Sequence, residues 1–285
     1  MSARDQMSAH AQSGRSKKSN RVTSMDHSID TITQRIVYED NHLLLLNKLP
    51  GELVQGDKTG DPSLMDHLKG FIKQRDHKPG NVFLGLVNRI DRPTSGLVVF
   101  AKTSKGLSRL TESFRTRDVR KYYLALTEVP PGGLESLGGQ PYQGEFRDQL
   151  WKHEKTNTSK VLKPGDRNSN QAKEAVLSYR LVQTLDRYLL WLVNLQTGRH
   201  HQIRVQFGSR GMAVRGDVKY GARRGIGDGS IGLHSWFLDL PHPTKPQERV
   251  TMQADPRVVQ ADRIWQQVDL SALSSMVLDQ PWELP

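Results

Sequence analysis

The sequence predicts a single α+β domain behind a polar N-terminal leader. Short apolar runs with the pattern of strands alternate irregularly with segments whose apolar residues recur at helical spacing. After residue 34 no linker and no internal repeat divides the chain, so one core is the simplest arrangement. With 35% hydrophobic and 25% charged residues, the 285-residue chain has the composition of a globular protein.

Residues 1–33 are rich in Ser, carry scattered Arg and Lys, and contain no Phe, Tyr or Trp. Such a segment cannot bury enough apolar surface to offset its conformational entropy, so a disordered tail is expected there and the folded domain from 34 to 285. Ile36-Val37-Tyr38 and Leu43 to Leu46 read as two short strands, followed by a turn at Pro50-Gly51. Asp61-Pro62 offers a capping side chain and then the residue favoured at the first helical position. Leu64, Leu68, Phe71 and Ile72 then recur at helical spacing, and Pro79-Gly80 closes that unit. Leu97 to Ala101 is a continuous apolar run and reads as a buried strand. Leu107, Leu110 and Phe114 mark an amphipathic helix. Residues 119–127 return to a strand, in which Tyr122 and Tyr123 face opposite sides. Pro130 to Gly139 reads as a loop, and Arg147 to Lys173 as an exposed basic arm or hairpin. Residues 175–195 hold two more strands, the second from Tyr188 to Leu195.

Composition narrows the function classes. The formal net charge of +11 attracts polyanions, because Lys and Arg release counterions from nucleic acid on binding. The same charge serves solubility, so it sets a prior for nucleic acid and no more. The chain has no cysteine, which excludes disulfides, thiolate metal sites and cysteine nucleophiles together. No stretch approaches the ~20 consecutive apolar residues of a membrane span, and Met1 to Thr33 lacks the apolar core of a secretory signal. A cytoplasmic protein without a membrane partner is expected.

Three polar, glycine-containing segments do not read as packing. The first is Asn88-Arg89-Ile90-Asp91-Arg92-Pro93-Thr94-Ser95-Gly96, where two arginines flank one carboxylate directly before a buried strand. It is either a turn with a surface ion pair or a carboxylate held ionised by cations beside a polyanion site. The second is Thr197-Gly198-Arg199-His200-His201-Gln202-Ile203-Arg204. If a helix starts near Arg199, His201 and Arg204 share one face and the helix N-terminus favours phosphate. The adjacent histidines invite a metal reading, but neighbours point different ways on a helix and no HExxH pattern is present. The third is Gly216-Asp217-Val218-Lys219-Tyr220-Gly221, followed by Leu233-His234. It reads either as a second acidic site or, more simply, as a turn whose Asp217 caps local backbone donors. The stretch from Gly227 to Gly232 formally matches a dinucleotide fingerprint, but it follows Arg223-Arg224 instead of an apolar strand and precedes a strand. No GxxxxGK[ST] loop exists, so no nucleotide cofactor is expected.

Together these segments resemble one family. Asn88 to Gly96 is similar to the HRLDxxTSG core motif of the RluA-type RNA pseudouridine synthases. Lys121-Tyr122-Tyr123-Leu124-Ala125 resembles that family's K-x-Y-x-A segment, and Thr197 to Arg204 its TGRxHQIR segment. Gly216 to Gly221 and Leu233-His234 resemble its GDxxYG and LH elements. The resemblance runs from about Ile36 to about residue 253, in the family's order. Asn88 departs from it, standing where the family has His, and residues 1–33 are too short and polar to match the family's optional RNA-binding module.

The resemblance implies a pseudouridine synthase fold with a mixed, largely antiparallel central sheet and flanking helices. It implies isomerisation of uridine in ribosomal or transfer RNA, without cofactor or metal. Asp91 matches the catalytic carboxylate, as nucleophile or as base toward the C2′ proton. Arg204 matches its ion-pair partner, and Tyr123 the tyrosine that stacks on the uracil and serves proton transfer. Arg89 matches the residue that fills the space left by the extruded base or meets phosphate. Arg92, Arg199 and His201 around the carboxylate, and Lys152, Lys155, Lys160 and Lys163 on the arm, are the further RNA contacts expected of a chain acting as a monomer. Two rivals remain: an RNA-binding protein of this fold without catalysis, and a metal-dependent nuclease built on His200, His201, Asp217 and His234.

Overall fold

The computed structural model describes residues 27–56, 60–137 and 142–278. Its centre is one sheet of eleven strands in which β4–β10 is the parallel pair and the other pairs are antiparallel. In chain order the strands are β1 (Ile36–Glu39), β2 (Leu43–Lys48), β3 (Gly85–Leu86), β4 (Ser95–Ala101), β5 (Arg120–Glu128), β6 (Gln143–His153), β7 (Thr158–Leu162), β8 (Lys173–Thr184), β9 (Tyr188–Leu195), β10 (Leu233–His242) and β11 (Lys245–Gln253). Across the sheet they run β1-β2-β4-β10-β5-β9-β8-β6-β7, with β3 added on β4 and β11 on β10. The expected α+β class and the mixed, largely antiparallel sheet are the architecture observed.

Both faces of the sheet are covered, which is why its central strands are apolar throughout instead of alternating. Leu44 and Leu46 of β2 pack in one core layer with Tyr123, while Leu43 and Leu45 pack in a layer on the opposite face. Tyr122 also leaves Tyr123, in a layer with Trp236 and Trp265. Helices α2 (Leu64–Arg75) and α4 (Gln202–Gly208) bury Leu68, Ile72, Ile203 and Phe207 on the Tyr123 face. Helices α3 (Ser104–Arg115) and α5 (Leu270–Leu278) cover the other face through Leu110, Leu273 and Val277. Among the described residues no helix is long and apolar enough to cross a membrane.

Two expected boundaries move. Helix α2 begins two residues after the Asp61-Pro62 pair, because Ser63 and Asp66 cap each other's backbone N–H groups in a capping box. Residues 29–33, assigned by composition to the tail, form a short helix, α1 (Ile29–Thr33), whose Ile32 is fully buried against the core. One apolar side chain and the adjoining Arg35–Glu52 pair hold it, a long-range effect that composition does not register. The rest of the expected tail, residues 1–26, lies outside the described residues, as do 138–139 of the expected Pro130–Gly139 loop. The arm is a hairpin of β6 and β7, and β6 pairs with β8 from Gln143 to Leu150, so the hairpin extends the main sheet.

The candidate active site

The loop from Asn88 to Thr94 delivers a carboxylate to the end of β4. Asn88 Oδ1 accepts the Val99 N–H at 2.7 Å, so the residue at the family's usual His position braces the loop against β4. Gly96 has φ +109, and a Cβ there would lie 2.2 Å from the Ser235 carbonyl of β10. Only glycine permits that approach, which sets β4 and β10 side by side. Beneath the loop, the fully buried Lys48 donates from Nζ to the carbonyls of Leu49, Glu52 and Arg92 at 2.7, 3.2 and 3.1 Å. Burial pulls its pKa down to about 7.

Arg204, on the first turn of α4, joins the loop to the rest of the site. Its Nη1 donates to Asp91 Oδ2 at 3.0 Å. Its Nε and Nη2 donate to Asp217 Oδ2 and Oδ1 at 2.6 and 2.8 Å, a two-point contact between buried groups. The two carboxylates raise the guanidinium's pKa further despite its burial. Asp217 was expected to cap backbone donors of its own turn. The 3-10 turn Val218–Tyr220 receives no side-chain cap from it, and its carboxylate is spent on Arg204. The reason is stoichiometric: a buried guanidinium has five N–H donors, more than Asp91 alone can satisfy.

Asp91 is partly exposed, with 26% of its side-chain surface open. Arg204 Nη1 at 3.0 Å and His201 Nε2 at 3.7 Å both approach Oδ2. Oδ1 accepts no hydrogen bond among the described residues, and Asp91 lines a cavity of about 260 Å³ together with Arg204, Tyr123, Lys121, Asn88 and Arg89, among others. Tyr123 lines this cavity from β5, and burial pushes its phenol up to about 12, so it stays protonated near neutrality. The three residues that the resemblance singled out, 32 to 113 positions apart in sequence, therefore meet in one cleft.

A second cavity of about 660 Å³ adjoins the first and shares Arg89, Asp91, Arg199, His201 and Arg204 with it. Arg92, Lys152, His200 and Lys219 complete its wall. Arg89 is exposed at the junction of the two. Arg92 is also exposed and donates to the Gly51 carbonyl, and Arg199 donates to the Glu174 carbonyl. The arm lysines do not share one face. Lys152 lies opposite Ser159 in the hairpin and lines the cleft, whereas Lys160 pairs with Trp151 on the alternate side of the strand. Lys155 and Lys163 are exposed and do not line the cleft. Lys219, which sequence reading passed over, does line it.

His201 lines both cavities, is 8% exposed, and stands at the N-cap of α4 in a left-handed backbone conformation, φ +54. Helix α4 accordingly begins at Gln202, not near Arg199, and Gln202 Oε1 accepts from the Arg199 N–H and Thr197 Oγ1. Burial, reinforced by Arg204, lowers the His201 pKa to about 2, so the ring is neutral. The residues of the nuclease reading do not converge. His234 is fully buried, with its ring nitrogens on Ser95 Oγ and the Ala254 carbonyl. Among the described residues no three His, Asp or Glu side chains are grouped to hold a metal ion.

Comparison with known proteins places the fold and the family. A family model described as RNA pseudouridylate synthase matches residues 42–209. The ribosomal large subunit pseudouridine synthase D of Nitrosomonas europaea is 29% identical over 230 residues, covering 78% of this chain and 62% of the relative. The ribosomal large subunit pseudouridine synthase C of Vibrio parahaemolyticus is 30% identical over 238 residues, covering 81% of this chain and 67% of the relative. The chain thus spans about three fifths to two thirds of the length of these relatives. Among solved structures, the human RNA pseudouridylate synthase domain containing 4 superposes with a TM-score of 0.66 at 22% identity, over 85% of this chain and 96% of the human one, which shows a common fold. Since the family model spans more than half of the sequence, from β2 through the Asp91 loop to α4, the chain belongs to the RNA pseudouridylate synthase family.

Proposed function

We propose that this protein is an RNA pseudouridine synthase that isomerises uridine within ribosomal or transfer RNA, with Asp91 as the catalytic carboxylate. The observation that carries the reading is the asymmetry of that carboxylate. Arg204 holds Oδ2, while Oδ1 accepts no hydrogen bond among the described residues and Asp91 lines a cavity of about 260 Å³ that Tyr123 also lines. Relatives named for the ribosomal large subunit favour ribosomal RNA as the substrate class.

In this reading the target nucleotide leaves its stack and enters the cavity, with Arg89 at the mouth meeting phosphate or filling the vacated space. The N1–C1′ bond breaks, the base turns, and a C5–C1′ bond forms. C5 then loses its proton, N1 gains one, and no electrons are exchanged with any other group. Asp91 Oδ1 acts at the sugar, either bonding to C1′ as N1 leaves and departing as C5 bonds there, or taking the C2′ proton as N1 leaves and returning it once C5 is attached. Tyr123 stacks on the uracil, and its phenol, kept protonated by burial, can hydrogen-bond the base as it turns. Arg204, fixed by Asp217, orients Asp91 and balances its charge. The reaction is redox-neutral and needs no cofactor. Arg92, Lys152, Arg199 and Lys219 would track the RNA backbone along the second cavity. We place the activity in the cytoplasm, carried by a monomer.

The test is to incubate the purified protein with ribosomal RNA and with transfer RNA transcripts and to map pseudouridine at nucleotide resolution. Conversion at defined uridines supports the reading. Tight RNA binding without any conversion would favour the non-catalytic RNA-binding alternative.

A further inference from the structure

We propose that Tyr220 is a positioning residue for the proposed isomerisation, holding His201 in the tautomer whose Nε2–H points at Asp91 and tying that proton to the β6–β7 hairpin. This inference rests on the function proposed above, but part of its test is independent of turnover.

The hydrogen-bond order follows from counting protons. The Ser159 backbone N–H, on β7, donates to the Tyr220 hydroxyl oxygen at 2.8 Å. The other partner of that hydroxyl is His201 Nδ1, at 2.6 Å. A backbone amide can only donate, so the phenolic proton is left with Nδ1 as its acceptor. A neutral imidazole that accepts at Nδ1 carries its proton on Nε2. That Nε2 lies 3.7 Å from Asp91 Oδ2. The opposite tautomer would aim a lone pair at the carboxylate and strand the tyrosine proton. The imidazole is also kept neutral, because burial and the adjacent Arg204 oppose a second charge.

Other contacts lock this arrangement. His201 sits at φ +54, a conformation that is costly for a residue with a Cβ and that persists where the surroundings impose it. Its ring stacks on His200 at 3.7 Å and meets the Tyr220 ring edge-on at 5.5 Å. The hairpin is joined to the same residues: Ser159 Oγ donates to the His200 carbonyl at 2.8 Å, and Lys219 Nζ donates to the Asn157 carbonyl at 3.1 Å. The Tyr220 ring also lies against the Arg204 guanidinium, 5.1 Å from its centre. The consequence for chemistry is directional. An N–H dipole directed at Oδ2 from 3.7 Å, beyond hydrogen-bond distance, adds to the field of Arg204 on that side and helps keep Oδ1 as the oxygen turned to the sugar. Displacement of the hairpin would loosen that donor, so RNA seated on Lys152 is coupled to the orientation of the carboxylate.

The experiment uses Tyr220→Phe, His201→Gln and the double variant in the full chain. Phenylalanine retains the ring packing and removes only the hydroxyl. Nitrogen-15 histidine spectra of the RNA-free protein read the tautomer, and the signal missing in His201→Gln assigns the residue among the chain's 10 histidines. We expect a pure Nε2–H pattern for His201 in the wild type and a mixture or reversal in Tyr220→Phe. In single turnover, Tyr220→Phe should slow pseudouridine formation about three- to tenfold with RNA affinity within about twofold, the scale of one lost hydrogen bond between neutral groups. The double variant should be no slower than His201→Gln alone, because the tyrosine acts through the histidine. An Nδ1–H tautomer in the wild type, or rate losses that multiply in the double variant, would overturn the proposal. A wild type with the expected spectrum but no turnover on any RNA would instead count against the proposed function.

Discussion

Replacing Asp217 by Asn probes the part of the site that does not touch substrate. The substitution keeps the shape and removes one charge from the two-point contact with Arg204 at 2.6 and 2.8 Å. The amide oxygen can accept from one of the two N–H groups, while its NH₂ confronts the other. Both partners are at most 5% exposed, so water does not compensate the loss. Breaking a buried ion pair by removing one partner typically costs about 3–5 kcal/mol. For a domain of this size each kcal/mol lowers Tm by roughly 2–4 °C, so a fall of roughly 6–20 °C is expected. The guanidinium also loses the clamp that aims Nη1 at Asp91. If the 3.0 Å contact is lost with it, the chemical step should slow about 10- to 150-fold, the equivalent of ~1.5–3 kcal/mol. Thermal unfolding followed by circular dichroism, single-turnover conversion and RNA binding together separate the effects. A variant whose Tm and rate both match the wild type would refute the clamp. A lowered Tm with an unchanged rate below the transition would make Asp217 purely structural.

Other perturbations have equally definite outcomes. Arg204→Lys supplies one compact charge where three directed donors are used, so it should lose turnover by at least about tenfold with RNA affinity nearly intact; equal loss of both would show that Arg204 binds RNA instead. Neutralising Lys152 and Lys219 together should weaken RNA binding and flatten its salt dependence more than neutralising Lys155, Lys160 and Lys163, because only the first pair lines the cleft; the reverse order in a salt titration would move the RNA path to the hairpin's other face. His234 has a pKa lowered to about 4 by burial, against an ordinary value of 6.5. Below pH 6.5 the unfolded chain binds a proton that the folded one refuses, so stability should fall as pH drops from 6.5 toward 4, by up to ~1.4 kcal/mol per pH unit from this group. His234→Asn should flatten the Tm-versus-pH curve between pH 6 and 5, and an unchanged slope would show that His234 titrates normally.

How much of this was legible in the sequence depends on the range of the interaction. Strands β2, β4, β5 and β9 were readable because their apolar runs are local signals. Helix α2 was readable too, but its start was not, since Asp61-Pro62 and Ser63 with Asp66 offer competing caps two residues apart. Asp91, Tyr123 and Arg204 were found through three separate motifs, and the Arg204–Asp91 contact expected from them is present. Asp217 was in view but misjudged, because a turn aspartate looks locally like a cap and its partner lies across the site. The missed signal was Arg204 itself, a buried guanidinium with more donors than one carboxylate can accept. Lys48 is the opposite case: a lysine at the end of an apolar strand reads as exposed, yet three backbone carbonyls hold it inside. No local pattern announces that, because the carbonyls belong to turns assembled by the fold.

The central claim is that Asp91 performs the chemistry from an open Oδ1 while Arg204 holds Oδ2. Asp91→Asn tests it most directly, since the amide keeps the shape and can accept a hydrogen bond but can neither act as a carboxylate nucleophile nor take up a proton. The measurement is single-turnover conversion on an RNA that the wild type modifies, made alongside RNA binding and thermal unfolding of the same preparation. The account predicts a folded variant that binds RNA as the wild type does and forms no pseudouridine. Pseudouridine formed by Asp91→Asn at a rate near that of the wild type would contradict it.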